Sequence, residues 1–305
     1  MSHKKAFYSK ILLFGEYSVI KNSMALSIPY SLFEGRLTFR SDSRELSTGI
    51  DPELKAFCQY LKSLKAKGEL DFDFDTTSFE FDIGQGLYFN STIPQGFGAG
   101  SSGALCASIY ERYTAQETNL SLEELKTRFA LMESHFHGSS SGMDPLISYM
   151  AKPILRSSDG GLRTVTLPSL EESKGGIFIL NTGRARRTEP LVNLFLEKCN
   201  AHHFEQLCYD VLTPLTNDCI RLFLEGQKSG LYDAFIRLSQ FQFDHFNPMI
   251  PKLYRDIWST GLEHHKFSLK LCGAGGGGFL LGMTPDFKQA FEILKDYELR
   301  LLLKF

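Results

Sequence analysis

Pro94-Gln95-Gly96-Phe97-Gly98-Ala99-Gly100-Ser101-Ser102-Gly103-Ala104 decides how the rest of this chain is read. The stretch follows a strand-like segment and feeds Gly103–Tyr113, where Leu105, Ile109 and Tyr113 share one helical face. Glycines let a backbone approach a phosphate closely, and the first free N–H groups of a following helix point toward an anion. The plain alternative is an ordinary turn with a serine cap. A Walker A loop is excluded, because no Lys-Ser/Thr pair follows the last glycine. The H-R-D and D-F-G strings of protein kinases are also missing.

Upstream, residues 6–40 read as strands, with apolar runs at Ile11–Phe14 and Leu26–Ile28 and alternation through Leu37 and Phe39. Residues 52–66 read as a helix that turns Leu54, Phe57, Cys58, Leu61 and Leu64 inward. Leu70–Phe81 alternates Phe with Asp and is expected to form a strand pair. Downstream, Ser121-Leu122-Glu123-Glu124 is a capping box that starts a helix at Leu122. Leu122, Leu125, Phe129, Met132 and Phe136 form its apolar stripe, and Gly138 ends it. A short helix follows at 145–150.

Further on, strands are expected at Arg163–Leu167 and Gly176–Leu180, with helices near 188–199, 203–225 and 230–240. A strand over 267–272, a glycine run, a strand over 279–283 and a terminal helix over 286–297 close the chain. This order indicates α+β layers rather than a regular βαβ series. Pro168–Gly175 is the expected boundary between domains 1–170 and 171–305.

With 305 residues, the chain is long enough to bury two ordinary cores. Its formal charge of −2, with no basic stripe, argues against nucleic acid as a partner. The six cysteines, at 58, 106, 199, 208, 219 and 272, show no C-x-x-C spacing of a zinc or redox site. Met1–Lys5 is polar and basic, but the apolar run that follows is too short for a leader core, and nothing approaches a membrane span. A reducing, cytoplasmic enzyme is expected.

Four further features carry chemistry. Glu133 lies just outside the apolar stripe of its helix, so it is either a rim residue reaching water or a partly buried carboxylate needing a partner or a metal. Asp144 precedes Pro145, which is also ordinary helix-start chemistry. Lys10 opens an apolar strand, where a solvated strand end is the simple reading. Gly275-Gly276-Gly277-Gly278 lies between two apolar strands, an entropic cost that makes sense where a backbone must come close to something. Glu133, His135 and His137 do not form a zinc site, since only 133 and 137 share a helical face. His202-His203 and His264-His265 read as surface pairs.

The loop at 94–104 resembles the second signature of the GHMP kinase superfamily, with Ala99 in place of Leu and Gly103 in place of Ala. Phe7–Val19 resembles the first signature, built around Lys10 and Gly15-Glu16-Tyr17. Tyr17 stands where the family has His, and the Pro-Gly before the lysine is missing. Lys270-Leu271-Cys272-Gly273-Ala274-Gly275 and the following glycines resemble the third signature, with Cys272 for Thr. His137-Gly138-Ser139-Ser140-Ser141-Gly142-Met143-Asp144 resembles the mevalonate kinase string H-G-x-P-S-G-V-D, with Ser140 for Pro. Asn181–Thr188 resembles a strand end of the same branch. The resemblance thus runs from residue 10 to residue 278 in family order.

That resemblance implies a two-domain α+β fold, with an N-terminal domain like domain 2 of ribosomal protein S5 and a ferredoxin-like C-terminal domain. It implies ATP and Mg²⁺ as cofactors. Pro94, Gly96, Gly98, Ala99, Gly100, Ser101, Ser102 and Gly103 would wrap the nucleotide phosphates. Ser102 and Glu133 would hold the metal, while Asp144 and Lys10 would act on the acceptor hydroxyl. Glu16, Tyr17, Arg186, Gly273, Ala274 and Gly275 would face the substrate, although a plain surface role fits Arg186 equally well.

Mevalonate is the acceptor most consistent with the H-G-x-x-S-G-x-D string. Phosphomevalonate kinases share Gly-Glu-Tyr, and homoserine or sugar kinases and a silent nucleotide-binding relative stand as alternatives. A homodimer is left open.

Overall fold

Capping residues set several helix boundaries. A computed structural model describes residues 5–40, 50–115, 117, 119–168, 173–186 and 188–304. Residues 1–4, within the polar and basic start of the chain, and 169–172, within the expected domain boundary, lie outside the described residues.

In chain order, β1 (Phe7–Phe14) and β2 (Ala25–Phe39) precede α1 (Pro52–Lys67) and α2 (Thr76–Gly84). β3 (Leu87–Ser91) leads through the glycine loop into α3 (Ser101–Tyr113), α4 (Leu122–His137) and α5 (Met143–Met150). Then come β4 (Ile154–Arg156), β5 (Leu162–Thr164), β6 (Gly176–Asn181), α6 (Glu189–Cys199), α7 (His202–Leu207), α8 (Thr213–Leu224), α9 (Lys228–His245) and α10 (Arg255–His264). β7 (Ser268–Leu271), β8 (Phe279–Thr284), α11 (Phe287–Ile293) and β9 (Glu298–Lys304) finish the chain.

Met1–Lys10, Ile28–Pro94 and Ala99–Lys152 form one compact unit, and Ile11–Ser27, Gln95–Gly98 and Pro153–Phe305 form another. In the first unit, Asp51 caps α1 through the backbone N–H groups of Glu53 and Leu54, and Leu54, Phe57, Cys58, Leu61 and Leu64 are buried as their spacing predicts. The capping box of α4 is complete, with Ser121 and Glu124 each accepting from the other's backbone.

The expected strand pair over 70–81 does not form. Phe72 and Phe74 are buried, but only an isolated bridge, Phe74 with Thr114, is made. Asp75 then accepts from the Ser78 N–H and starts α2. An N-cap at the end of a short alternating run overrides the period-2 pattern. Phe57, Phe74 and Phe79 fill this core edge to face, with centroids 6.1–6.5 Å apart.

In the second unit, β6, β7, β8 and β9 form an antiparallel sheet in the order β7-β8-β6-β9. Helices lie between β6 and β7 and between β8 and β9, the βαββαβ plan of a ferredoxin-like domain. The helix expected over 203–225 forms as one helical run that includes a π-helical turn at Cys208–Leu212, just before Pro214, which lacks an N–H. Two other expectations need correction here. The terminal helix stops at Ile293, and 298–304 pair with β6 as an edge strand. Its Leu, Arg, Glu and Lys are helix formers, so pairing with the sheet outweighs local preference. α10 is an addition to the expected elements, because Gly261 interrupts a stretch that nonetheless buries Trp258 and Leu262.

Gly282 of β8 faces Phe178 of β6, and a Cβ at 282 would overlap the phenyl ring. Gly282→Ala is expected to cost about 1–3 kcal/mol, read from a denaturant midpoint. An unchanged midpoint would show that the ring has room to move.

Candidate active site

In β1 the buried positions alternate, and Lys10 falls on the less buried face between Ser9 and Ile11. Its backbone N–H donates to the Ala99 carbonyl at 3.0 Å, which fixes the outgoing half of the glycine loop against the strand. Its ammonium lies 3.0 Å from Asp144 Oδ1. Asp144 sits in the first turn of α5, one residue past the start; Gly142 is the N-cap. The aspartate is therefore not used as a cap, and its carboxylate is available to Lys10.

The glycine loop closes over this pair. Gly100, the left-handed N-cap of α3 at φ 78°, would place a Cβ 3.0 Å from Lys10 Cγ and 3.6 Å from Asp144 Oδ2. Gly103, one turn on, would place a Cβ 2.7 Å from Pro145 N and 2.9 Å from Asp144 Cβ. Even an alanine at 103 needs α3 and α5 to separate. No side chain caps α3, so its first N–H groups keep the anion-binding character of a helix start.

Glu133 of α4 is 3% exposed. Ser102 Oγ donates to its Oε1 at 3.0 Å, and Ser140 Oγ donates to its Oε2 at 2.5 Å. With its proton given to Glu133, Ser102 accepts from His137 Nε2, 2.9 Å away. Burial, and then the negative charge of Asp144, push the Glu133 carboxyl up to about 7; the two hydroxyls and Lys10 offset this only in part.

Among the described residues, no group of three or more His, Cys, Asp or Glu side chains is disposed to hold a metal ion. Glu133 and Ser102 make a smaller set of hard oxygen donors carrying a buried negative charge. That composition fits Mg²⁺, which keeps water and phosphate oxygens and takes few ligands from protein.

Other expected site residues gather in the second unit. The Arg186 N–H donates to the Gly96 carbonyl at 2.8 Å, and Nη1 donates to the Cys272 carbonyl at 2.8 Å and the Gly275 carbonyl at 3.3 Å. A Cβ at Gly98 would overlap the guanidinium, and one at Gly273 would come within 2.5 Å of it. Arg186 is thus no plain surface arginine, because it ties residues 96–98 to the late glycine run. That run also lies tight against protein backbone, at Met249 for Gly275, Arg184 for Gly277 and Phe97 for Gly278.

Glu16, 3% exposed, meets Lys270, 0% exposed, at 2.5 Å, and Lys270 also donates to the Leu271 carbonyl. Burial raises the Glu16 carboxyl, and Lys270 opposes the rise. Tyr17 has φ 62° and ψ −43°, and the Ser18 N–H donates to the Glu16 carbonyl at 2.6 Å. This is a γ-turn of the rare, strained kind. The Tyr17 ring lies against Phe195 and Phe246, and its hydroxyl donates to the Ala274 carbonyl at 2.5 Å.

The family model for the GHMP kinases N terminal domain matches residues 59–152. Within that segment the chain is similar to the GHMP kinases. A mevalonate kinase from Archaeoglobus fulgidus is 25% identical to this chain over 299 residues, 95% of either chain. The crystal structure of L. major mevalonate kinase in complex with R-mevalonate shares its fold at a TM-score of 0.63 and 18% identity, over 97% of this chain and 91% of that one. Streptococcus pneumoniae phosphomevalonate kinase in complex with phosphomevalonate and AMPPNP does so at 0.65 and 12%, over 99% of each.

Sequence reasoning misses Ser140, which shows there only as a departure from proline, and Lys270, to which it gives no role. A serine seven residues after Glu133 is the available signal for the first, since α4 ends between them. The buried partner of Glu16 has no local signal, because Glu16 and β7 are remote in sequence.

Both buried carboxylates give measurable outcomes. The raised Glu133 carboxyl contributes stability that is complete below about pH 4.5, its ordinary value, and lost as pH rises through about 7. In metal-free protein, Glu133→Gln is therefore expected to shrink the drop in melting temperature between about pH 5 and pH 8; an equal drop would rule the effect out. Lys270→Met strands Glu16 and is expected to cost about 3–5 kcal/mol by denaturant titration, partly restored by adding Glu16→Gln.

Proposed function

We propose that this chain transfers the γ-phosphoryl group of ATP to the hydroxyl of mevalonate, giving 5-phosphomevalonate and ADP. The observation that carries this reading is the Lys10–Asp144 pair at 3.0 Å beneath Gly100, at the uncapped start of α3. Phosphoryl transfer needs little covalent help from protein, so orientation and charge placement supply most of the acceleration.

Asp144 orients the acceptor hydroxyl and takes its proton as the new O–P bond forms and the bridging bond to ADP breaks. Lys10 holds the Asp144 carboxylate in place and stabilises the negative charge that develops on the acceptor oxygen. The α3 N–H groups and residues 94–103 bind the phosphates. Ser102 and Glu133 would hold Mg²⁺, which when bound neutralises phosphate charge. Arg186, Glu16 and Tyr17 brace the late glycine run through contacts with residues 270–275.

Mevalonate is favoured by the His137–Asp144 string and by the mevalonate kinase relatives. The Gly15-Glu16-Tyr17 segment favours phosphomevalonate as the second reading. Six free, buried cysteines support the cytoplasmic setting included in the proposal. Among the described residues, no helix is long and apolar enough to cross a membrane.

A coupled assay of ADP release against mevalonate, phosphomevalonate, galactose and homoserine tests the acceptor, and turnover is expected with mevalonate. Asp144→Asn and Lys10→Ala are expected to lower kcat by about 10²–10⁴-fold while nucleotide still binds. Wild-type kcat in Asp144→Asn would remove that residue from its role.

A further inference from the structure

We propose that Ser140 is a positioning residue for the metal-holding carboxylate, a hydroxyl strut that keeps Glu133 and the start of α5 in register. The inference rests on the reading of Glu133 as the carboxylate that holds Mg²⁺. Ser140 stands where the resembling string has proline, a residue with no side-chain hydrogen-bonding group. Here the hydroxyl makes two bonds at once: it donates to Glu133 Oε2 at 2.5 Å and accepts from the Gly142 N–H at 3.0 Å. Gly142 is the N-cap of α5, two residues before Asp144. One side chain therefore links the carboxylate of α4 to the helix start that carries Asp144.

The geometry also explains why the strut acts on Glu133 in particular. Glu133 Oε1 is held by Ser102 from α3, so the carboxylate plane is fixed by one hydroxyl on each oxygen. An ionised carboxylate offers about four lone-pair sites, so two accepted hydrogen bonds leave room for a cation. Without Ser140, Oε2 would lose its hydroxyl, and a buried, charged oxygen with one partner fewer is both less stable and free to rotate. Groups that orient a metal ligand in this way typically set metal affinity by about 10- to 100-fold.

The test uses the full chain with Mn²⁺ as probe, in the presence of AMPPNP, and reads metal affinity directly by calorimetry alongside melting temperature. Ser140→Ala is expected to weaken Mn²⁺ binding by about tenfold, with Ser140→Thr restoring most of it. Glu133→Gln, measured in parallel, is expected to weaken it further. Wild-type Mn²⁺ affinity in Ser140→Ala, with the loss intact in Glu133→Gln, would overturn the role of Ser140 alone. Wild-type affinity in Glu133→Gln would overturn the reading of Glu133 on which it rests. A fall in melting temperature for both Ser140 variants, with unchanged affinity, would mark a merely structural serine.

Discussion

The approach of Lys10 to Asp144 is possible because the chain that covers them carries no side chain at position 100. A β-carbon there would press on both the lysine stem and the carboxylate. The same glycine turns the backbone into α3 through a left-handed conformation that costs most residues energy. The Lys10 N–H then holds Ala99, so the loop cannot lift away from the strand that supplies the ammonium. Strand, loop and helix starts are thus mutually fixed around a single ion pair, and Gly103 sets how closely α3 can lie on α5.

A second layer of polar order surrounds this pair. Glu133 is buried beside another carboxylate, an arrangement that disfavours its own charge. Two serine hydroxyls and a nearby ammonium ease that conflict without removing it. A buried carboxylate left short of positive charge is a poor device for stability and a sensible one for holding a cation. The fully buried Glu16–Lys270 pair shows the opposite solution, with the countercharge built into the protein itself.

Much of this is legible in the order of the amino acids alone. The capping box at Ser121, the inward stripe of α1 and the two glycine-rich signatures are local signals, and local physics decides them. Strand pairing is less legible: β9 is composed of helix formers and exists because β6 offers it an edge, and the Phe–Asp alternation near residue 72 gives way to a cap at Asp75. Within the site, Lys10, Ser102 and Asp144 are marked by the motifs they lie in, and Glu133 by its place beside the apolar stripe of its helix. Ser140 and Tyr17 are visible only as departures. Their partners, Glu133 Oε2 and the Ala274 carbonyl, are brought to them by folding and have no signature along the chain.

The interleaving of the two units has a consequence for how the polypeptide can be divided. The chain passes from one unit to the other at Lys10/Ile11, Ser27/Ile28, Pro94/Gln95, Gly98/Ala99 and Lys152/Pro153. No single cleavage point yields an intact half, because a fragment ending at Lys152 carries two orphaned pieces of its neighbour. During synthesis, Ile11–Ser27 leaves the ribosome long before most of its packing partners exist. The first unit can organise early, but its companion must wait for the last strand, β9, to be made.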